Sequence, residues 1–412
     1  MDTREVLRSF GAPIRDRAAP VHFAGRRDEL DHILVNARHP AAGNTIVVQG
    51  APGAGKTSLL REAATRFREA GGQALVYDAP WSKDGEDDVI RDIAVAALDL
   101  DYGVFSTTEQ SAKTTNGSIA GVSGSVTKTV QTPPVELTRW TAFVRRYREV
   151  ARDSRTVLVL VDESQNLDDD AGELIHALHT QSDFPFTLVC GGLSDTKDKL
   201  RDIGVSRLGG DAILRIGALT HEEARDSVLH TLHWTLDRCT QPPIRHDEDH
   251  VEQWTNELAD ASLGWPQHVA SYLSSTWRAL AGAERLDLGD VRNLKTALDR
   301  GAAMCRDYYE GRIDASQTDP AVILAAHGAL AAGGDAFVRV CAAIEEAVDR
   351  LPAARRALHH RSHPDGTLEC YAKMLKAGVI EERDGERLGV PIPSMTKHLE
   401  DVVARRRTGK DE

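Results

Sequence analysis

The sequence predicts an α/β fold built on a parallel sheet and followed by helical units, and three observations lead there. A β-branched run, Thr45-Ile-Val-Val-Gln49, breaks into Gly50-x-x-x-x-Gly55-Lys56-Thr57 and then into the helical pattern Leu59-Leu60-Arg61-Glu62-Ala63-Ala64. Further on, the apolar run Val157-Leu-Val-Leu-Val161 ends in Asp162-Glu163, as a strand buried on both faces ends at its functional edge. Between them lie a strand pattern, Gln73–Asp78, and a helix pattern with an apolar stripe, Asp87–Leu98, so βα units alternate as a parallel sheet requires.

The first of these stretches is a phosphate-binding loop. Its glycines let the backbone turn with N–H groups inward, and the next helix starts there with its positive end facing the turn. Gly50, Ala51, Pro52, Gly53, Ala54, Gly55, Lys56, Thr57 and Ser58 form the candidate cradle for ATP. Lys56 supplies a point charge to the β- and γ-phosphates, and the Thr57 hydroxyl is a ligand for Mg2+. Asp162 is expected to complete the metal site, and Glu163 to orient and deprotonate the attacking water. The catalytic set therefore includes Lys56 and Glu163.

Composition narrows the rest. The 412 residues suit two to four domains. A net charge of −13 argues against general polyanion binding. Five cysteines without a C-x-x-C pair fit reduced cytosolic thiols and give no expectation of zinc. No apolar run reaches the ~18 residues of a membrane span, and Met1-Asp-Thr-Arg-Glu-Val6 lacks signal-peptide regions, so a soluble cytoplasmic protein is expected, with no membrane partner.

In chain order, residues 1–20 are polar, carry Pro13 and Pro20, and are expected to form an extended arm. Val21–Leu34 is an amphipathic helix start, with Leu30, Ile33 and Leu34 behind Asp28 and Glu29. Residues 106–134 change to Ser, Thr and Gly, a flexible insertion. Glu136–Ala151 is helical, with Trp140, Phe143, Val144 and Tyr147 on one side. Phe186–Asp195 is the next strand and its exit loop, Val205-Ser-Arg207-Leu precedes the strand 212–216, and Thr220-His-Glu-Glu223 is a capping box. Helices over 248–261 and 266–281 follow, and residues 285–314 read as one more. Helices at 319–330, 335–348 and 368–377 then lead into two apolar strands around Asp384-Gly385, a hairpin signal. Three helices and a hairpin describe a winged helix.

Several of these strings resemble AAA+ ATPases, in particular the branch of Orc1/Cdc6-like initiators and transposition regulators. Phe23-Ala-Gly-Arg-Arg-Asp-Glu-Leu30 resembles its opening, Asp162-Glu-Ser-Gln-Asn-Leu167 its second acidic motif, Gly264-Trp-Pro266 its lid, and Lys376-Ala-Gly-Val-Ile380 with Ile392-Pro-Ser394 its C-terminal winged helix. The resemblance implies a P-loop NTPase core over 21–217, a helical lid over 218–284, a helical linker over 285–315, a winged helix over 316–400 and a tail over 401–412. It implies a sensor at Ser194 or Asp195, although the usual asparagine is absent. It also implies an arginine finger, Arg207, reaching a neighbour's site in a homo-oligomer. An arginine common near Gln267 is missing, which weakens direct lid sensing of the γ-phosphate.

Two functional classes follow. One is an ATPase that couples ATP binding and hydrolysis to assembly in a DNA-associated process. The other is a nucleotide switch of the STAND type acting on a protein partner. In a DNA-binding winged helix, Tyr371, Lys373, Lys376, Arg383 and Arg387 would make the contacts. Over 316–412, however, 14 Lys and Arg meet 15 Asp and Glu, so the unit is close to neutral.

Overall fold

The computed structural model describes residues 2–10, 23–39, 45–79, 156–167, 169–180, 186–205, 208, 212–332, 336–383 and 387–407, with Val89, Asp92, Ile93, Val95 and Ala96 besides. The insertion at 106–134, the helix expected over 136–151 and Arg207 lie outside the described residues.

Five strands form one sheet: β1 (Thr45–Gln49), β2 (Gln73–Asp78), β3 (Val157–Asp162), β4 (Phe186–Gly192) and β5 (Ile213–Arg215). Their order is β2-β3-β4-β1-β5 and every ladder is parallel. The register sets Gln49 beside Gly192 and Asp78 beside Asp162, so the strands end together. Both faces are covered, which is why β1, β3 and β4 read as unbroken apolar runs. Along β3, Leu158 and Leu160 enter the core on one face, while Val157, Val159 and Val161 enter that on the other. Helices α2 (Arg27–Arg38) and α3 (Lys56–Glu69) cover the first face, and α4 (Asp169–Thr180) and α5 (Thr196–Asp202) the second.

The start of the expected extended arm is helical, and residues 11–20 lie outside the described residues. Thr3–Phe10 is a helix, α1, with Val6 and Leu7 buried and Phe10 tilted against Trp234 at 4.9 Å. Arg4 fixes it by donating to the carbonyls of Ala281 (2.9 Å) and Ala283 (2.8 Å). The two prolines that suggest an extended segment lie beyond the helix end and do not oppose it.

Beyond the sheet come α6 (His221–Arg238), α7 (Glu248–Ser262) and α8 (Pro266–Gly282). The expected capping box is present: Thr220 Oγ1 accepts from Glu223 N, and Thr220 N donates to Glu223 Oε2 at 2.8 Å. Glu223 also accepts the Arg26 amide at 2.9 Å, which ties the start of α6 to the segment before α2. Trp254 and Trp265 are fully buried, and Trp254 Nε1 donates to Leu288 O.

Helix α9 (Val291–Ser316) has 26 residues, about 39 Å of length, and packs on α8. A β-carbon at Gly301 would lie 2.2 Å from the Tyr272 ring, so only glycine permits that approach. The chain continues through α10 (Pro320–Ala331), α11 (Ala336–Asp349), α12 (Ala353–Ser362), α13 (Thr367–Ala377), the antiparallel pair β6 (Glu381–Arg383) and β7 (Arg387–Gly389), and α14 (Met395–Arg407). Helix α12 is an addition to the three expected helices. Its polar sequence has little apolar periodicity, and Arg355 helps hold it through a 2.7 Å bond to Asp319, the cap of α10.

Burial holds two histidines neutral. His268 and His327 are each pushed down to about 4, chiefly by desolvation. His327 lies between Thr396 Oγ1 (2.9 Å) and Val379 O (2.8 Å). The unfolded chain binds these protons near pH 6.5 and the folded chain does not, so stability present above that pH is lost as pH falls toward 4. Each histidine contributes about 3 kcal/mol of that loss by pH 4. Thermal unfolding followed between pH 7 and 4 should show a shallower decline in His327→Gln than in the natural chain; equal slopes would contradict the assignment.

Candidate functional site

The loop between β1 and α3 is shaped by contacts a side chain would prevent. Gly53 and Gly55 have φ of +82° and +91°, which glycine adopts without strain. A β-carbon on Gly50 would lie 2.5 Å from Ile216 O. Gly55 caps α3 and has no side chain to offer its first amides, which leaves that helix end to a ligand.

Lys56 folds back on the loop. Its buried ammonium donates to Gly50 O (2.8 Å) and Ala51 O (3.1 Å). Burial pulls its pKa below the ordinary lysine value, against the opposing pull of Glu163 and Asp162. Thr57 Oγ1 donates to Asp162 Oδ2 at 2.5 Å. The two expected metal ligands, far apart in sequence, are thus in contact. Burial raises the Asp162 carboxyl, and the bonds from Thr57 and the Glu163 amide partly oppose it.

Glu163 has φ +54°, a left-handed conformation that costs a non-glycine residue about 1–3 kcal/mol. Its amide donates to Asp162 Oδ1 (2.9 Å), its carbonyl accepts from Asn166 N (2.8 Å), and Gln165 Nε2 bonds its carboxylate. The other end of Gln165, Oε1, accepts from Leu193 N at 3.2 Å. Gln165 therefore ties the carboxylate to the exit of β4.

Ser194 sits in that exit. Its carbonyl accepts from Gln49 Nε2 at 2.9 Å, and the residue lines a cavity of about 280 Å³ with Gly50, Ala51, Arg215, Gly378 and Glu382. Among the described residues no hydrogen bond joins it to Lys56, Thr57, Asp162 or Glu163. Asp195 caps α5 without a side-chain bond, and desolvation raises its carboxyl while Lys376 opposes the rise.

The loop is also clamped from outside. Gln267 N, in the first turn of α8, donates to Gly53 O at 3.2 Å, and Tyr308 Oη on α9 donates to Pro52 O. A β-carbon on Gly378, just past α13, would lie 2.3 Å from Pro52 Cδ. One turn beyond Tyr308, Arg312 holds its guanidinium 5.7 Å from the Tyr308 ring. Its charge reaches Lys56, and its buried Nε has no hydrogen-bond partner among the described residues. Tyr308 and Arg312 were not legible as site residues, because nothing in a long amphipathic helix marks which turn meets the loop.

These residues fit a magnesium-bound nucleotide: an open helix end, a desolvated ammonium, and a hydroxyl–carboxylate pair converge at the ends of β1 and β3. A family model described as an AAA ATPase domain matches residues 22–189.

Outside the AAA domain model, no curated protein matches the chain. Among solved structures the chain is similar to Cdc6p from Pyrobaculum aerophilum, at 15% identity and a TM-score of 0.41, covering 97% of this chain and 98% of that one. It is similar to RuvB from Thermotoga maritima, at 17% identity and 0.43, covering 95% and 98%. It is likewise similar to the Orc1 protein of Aeropyrum pernix in complex with DNA, at 16% identity and 0.39, covering 97% and 98%.

Replacing Lys56 by alanine should weaken Mg-ATP uptake by the AAA domain at least ~100-fold, about 2.7 kcal/mol, measured by titration with a fluorescent ATP analogue. Unchanged affinity in a folded variant would show that the loop does not hold the phosphates.

Proposed function

We propose that the chain is a Mg-ATP-dependent ATPase in which the state of the phosphates controls how the lid and the C-terminal helices dock on the loop. The observation that carries this reading is the clamp: Tyr308 and Gln267 bond the loop carbonyls of Pro52 and Gly53, and Gly378 packs on Pro52. Any shift of the loop is felt directly by α8, α9 and the end of α13.

Thr57 and Asp162 would hold a magnesium ion, which when bound neutralises phosphate charge. Lys56 is already desolvated, so turning from carbonyls to phosphate incurs little new dehydration. Glu163 accepts the proton of the attacking water, and Gln165 keeps its carboxylate aimed. Arg312 takes the part of the arginine that the lid lacks at Gln267, contacting phosphate from α9. In an oligomer, Arg207 would complete a neighbour's site.

On this reading residues 21–217 form the ATPase core, 218–284 the lid, 285–315 the linker and 316–400 a winged helix, of which α13 is the recognition helix. The partner it serves is taken to be a protein, as in a nucleotide-gated switch. Lys373 is occupied within the chain, donating to Gln317 Oε1 (2.9 Å) and pairing with Glu369 (3.0 Å), and Tyr371 lies edge-on to Phe337. The charge of Lys376 acts on Asp195 at the exit of β4. Meanwhile Phe337, Val338, Leu358 and Leu368 stand exposed on α11–α13, the kind of surface a protein partner covers. A second reading, DNA contact, draws on the exposed Arg387 and Arg405 and requires α13 to leave the core.

With Glu163→Gln, Mg-ATP should still bind while hydrolysis falls at least ~100-fold, and ATP should then change the hydrodynamic size or protease sensitivity of 316–400. If ATP alters neither, the switch reading fails; ATP-dependent, salt-sensitive DNA binding would instead favour the second. For Arg312→Ala, equilibrium titration should show ATP affinity lowered about 10-fold and ADP affinity lowered less.

A further inference from the structure

The C-terminal helices hold a second convergence of reactive side chains, remote in role from the nucleotide loop. His359 on α12, His363 just after it and Cys370 on α13 bring their ligand atoms within 4.8 Å of one another, and all three are buried. Thr318, between α9 and α10, completes the group: its hydroxyl is 3.3 Å from His363 Nε2 and 3.6 Å from Cys370 Sγ.

The chemistry of the group is that of ligands waiting for a cation. His363 Nδ1 lies 3.1 Å from His359 O. Donation there puts the proton on Nδ1 and leaves the Nε2 lone pair facing Thr318 and Cys370, the way metal-bound histidines are usually oriented. His359 is only 6% exposed, and its Nδ1 has no hydrogen-bond partner among the described residues. Leaving such a nitrogen unpaired costs about 1–3 kcal/mol, which a coordinate bond would remove. The two imidazole rings stack at 4.3 Å. Among these donors none is a carboxylate, and the nearby Asp319 is held by Arg355.

We propose that His359, His363 and Cys370, with Thr318 or a water as the fourth ligand, form a structural site for a zinc-class divalent cation. Two imidazoles and one thiolate suit a tetrahedral borderline ion rather than magnesium or calcium. With metal–nitrogen bonds of about 2.0 Å and metal–sulfur bonds of about 2.3 Å, tetrahedral edges are roughly 3.3–3.6 Å, and the two Thr318 distances already match. The remaining separations, at most 4.8 Å, exceed these edges by no more than about 1.5 Å, which rotation of the side chains would close. Binding forms the metal–sulfur bond as the Cys370 thiol releases its proton to solvent; no electrons are transferred. Bound metal would staple α12 and α13 to the junction between α9 and α10. The sequence lacks the C-x-x-C spacing that announces most such sites, but His359-x-x-x-His363 places two imidazoles one helical turn apart.

The test uses the full chain, stripped with chelator and titrated with Co2+ in the absence of nucleotide. The expected result is one Co2+ per chain with a thiolate-to-cobalt charge-transfer band, displaced by Zn2+. The band should vanish and affinity fall at least ~100-fold in Cys370→Ser, while the nearby Cys341→Ser retains both. Ions held by Thr57 and Asp162 give no thiolate band, so the two sites are told apart. His363→Gln keeps the thiol and serves if Cys370→Ser misfolds, with fluorescent-ATP binding reporting an intact core. A missing band in the folded natural chain, or one that survives Cys370→Ser, overturns the proposal.

Discussion

The contact of the Thr57 hydroxyl with the Asp162 carboxylate is the constraint on which the rest of the structure depends. Neither residue can reach the other unless β1, β4 and β3 lie side by side in parallel and end at one level, which the ladders impose. Strands β1, β3 and β4 are buried along their length, so the carboxylate at the end of β3 is buried and its ionisation is held back. Lys56 is desolvated beside it. Two charges kept short of water in this way gain more from a metal and a phosphate than exposed ones would, because the dehydration is already complete.

Around that pair the chain supplies positioning rather than further chemistry. Gln165 spans from Glu163 to the β4 exit, Glu223 binds both the α6 cap and the Arg26 amide, and Tyr308 reaches the loop from a helix that begins in another part of the fold. Helices α8 and α9 and the end of α13 therefore meet at the same few loop atoms. A loop of small residues is what permits this: the Pro52 and Gly53 carbonyls are left open to accept from Tyr308 and Gln267.

Much of this was legible in the sequence, and the reason is local. Gly50–Thr57, the apolar run into Asp162 and the Thr220 capping box each state their geometry within a few residues. What was not legible depends on the third dimension. The helix at Thr3–Phe10 is short, and its stability comes from Val6, Leu7 and Phe10 meeting α8 and Trp234. Helix α12 has a polar sequence whose partner, Asp319, is remote. Ser194, expected beside the phosphates from its place after β4, lines the cavity next to Gly50 and Ala51, and its carbonyl accepts from Gln49. Arg312 and the His359–His363–Cys370 group are assembled by packing between helices, which no spacing rule anticipates.

Helix α9 has a property that its length alone does not convey. Tyr308 and Tyr309 are adjacent, yet one bonds Pro52 in the loop and the other bonds Pro393 ahead of α14. Successive residues on a helix point about 100° apart, so this rod carries two addresses on different sides, fixed in angle by its winding. A deletion or an added residue upstream would swing both rings off target at once, and no flexible joint within the rod could restore them. Natural variation in this segment is therefore expected to conserve its phase more strictly than its composition.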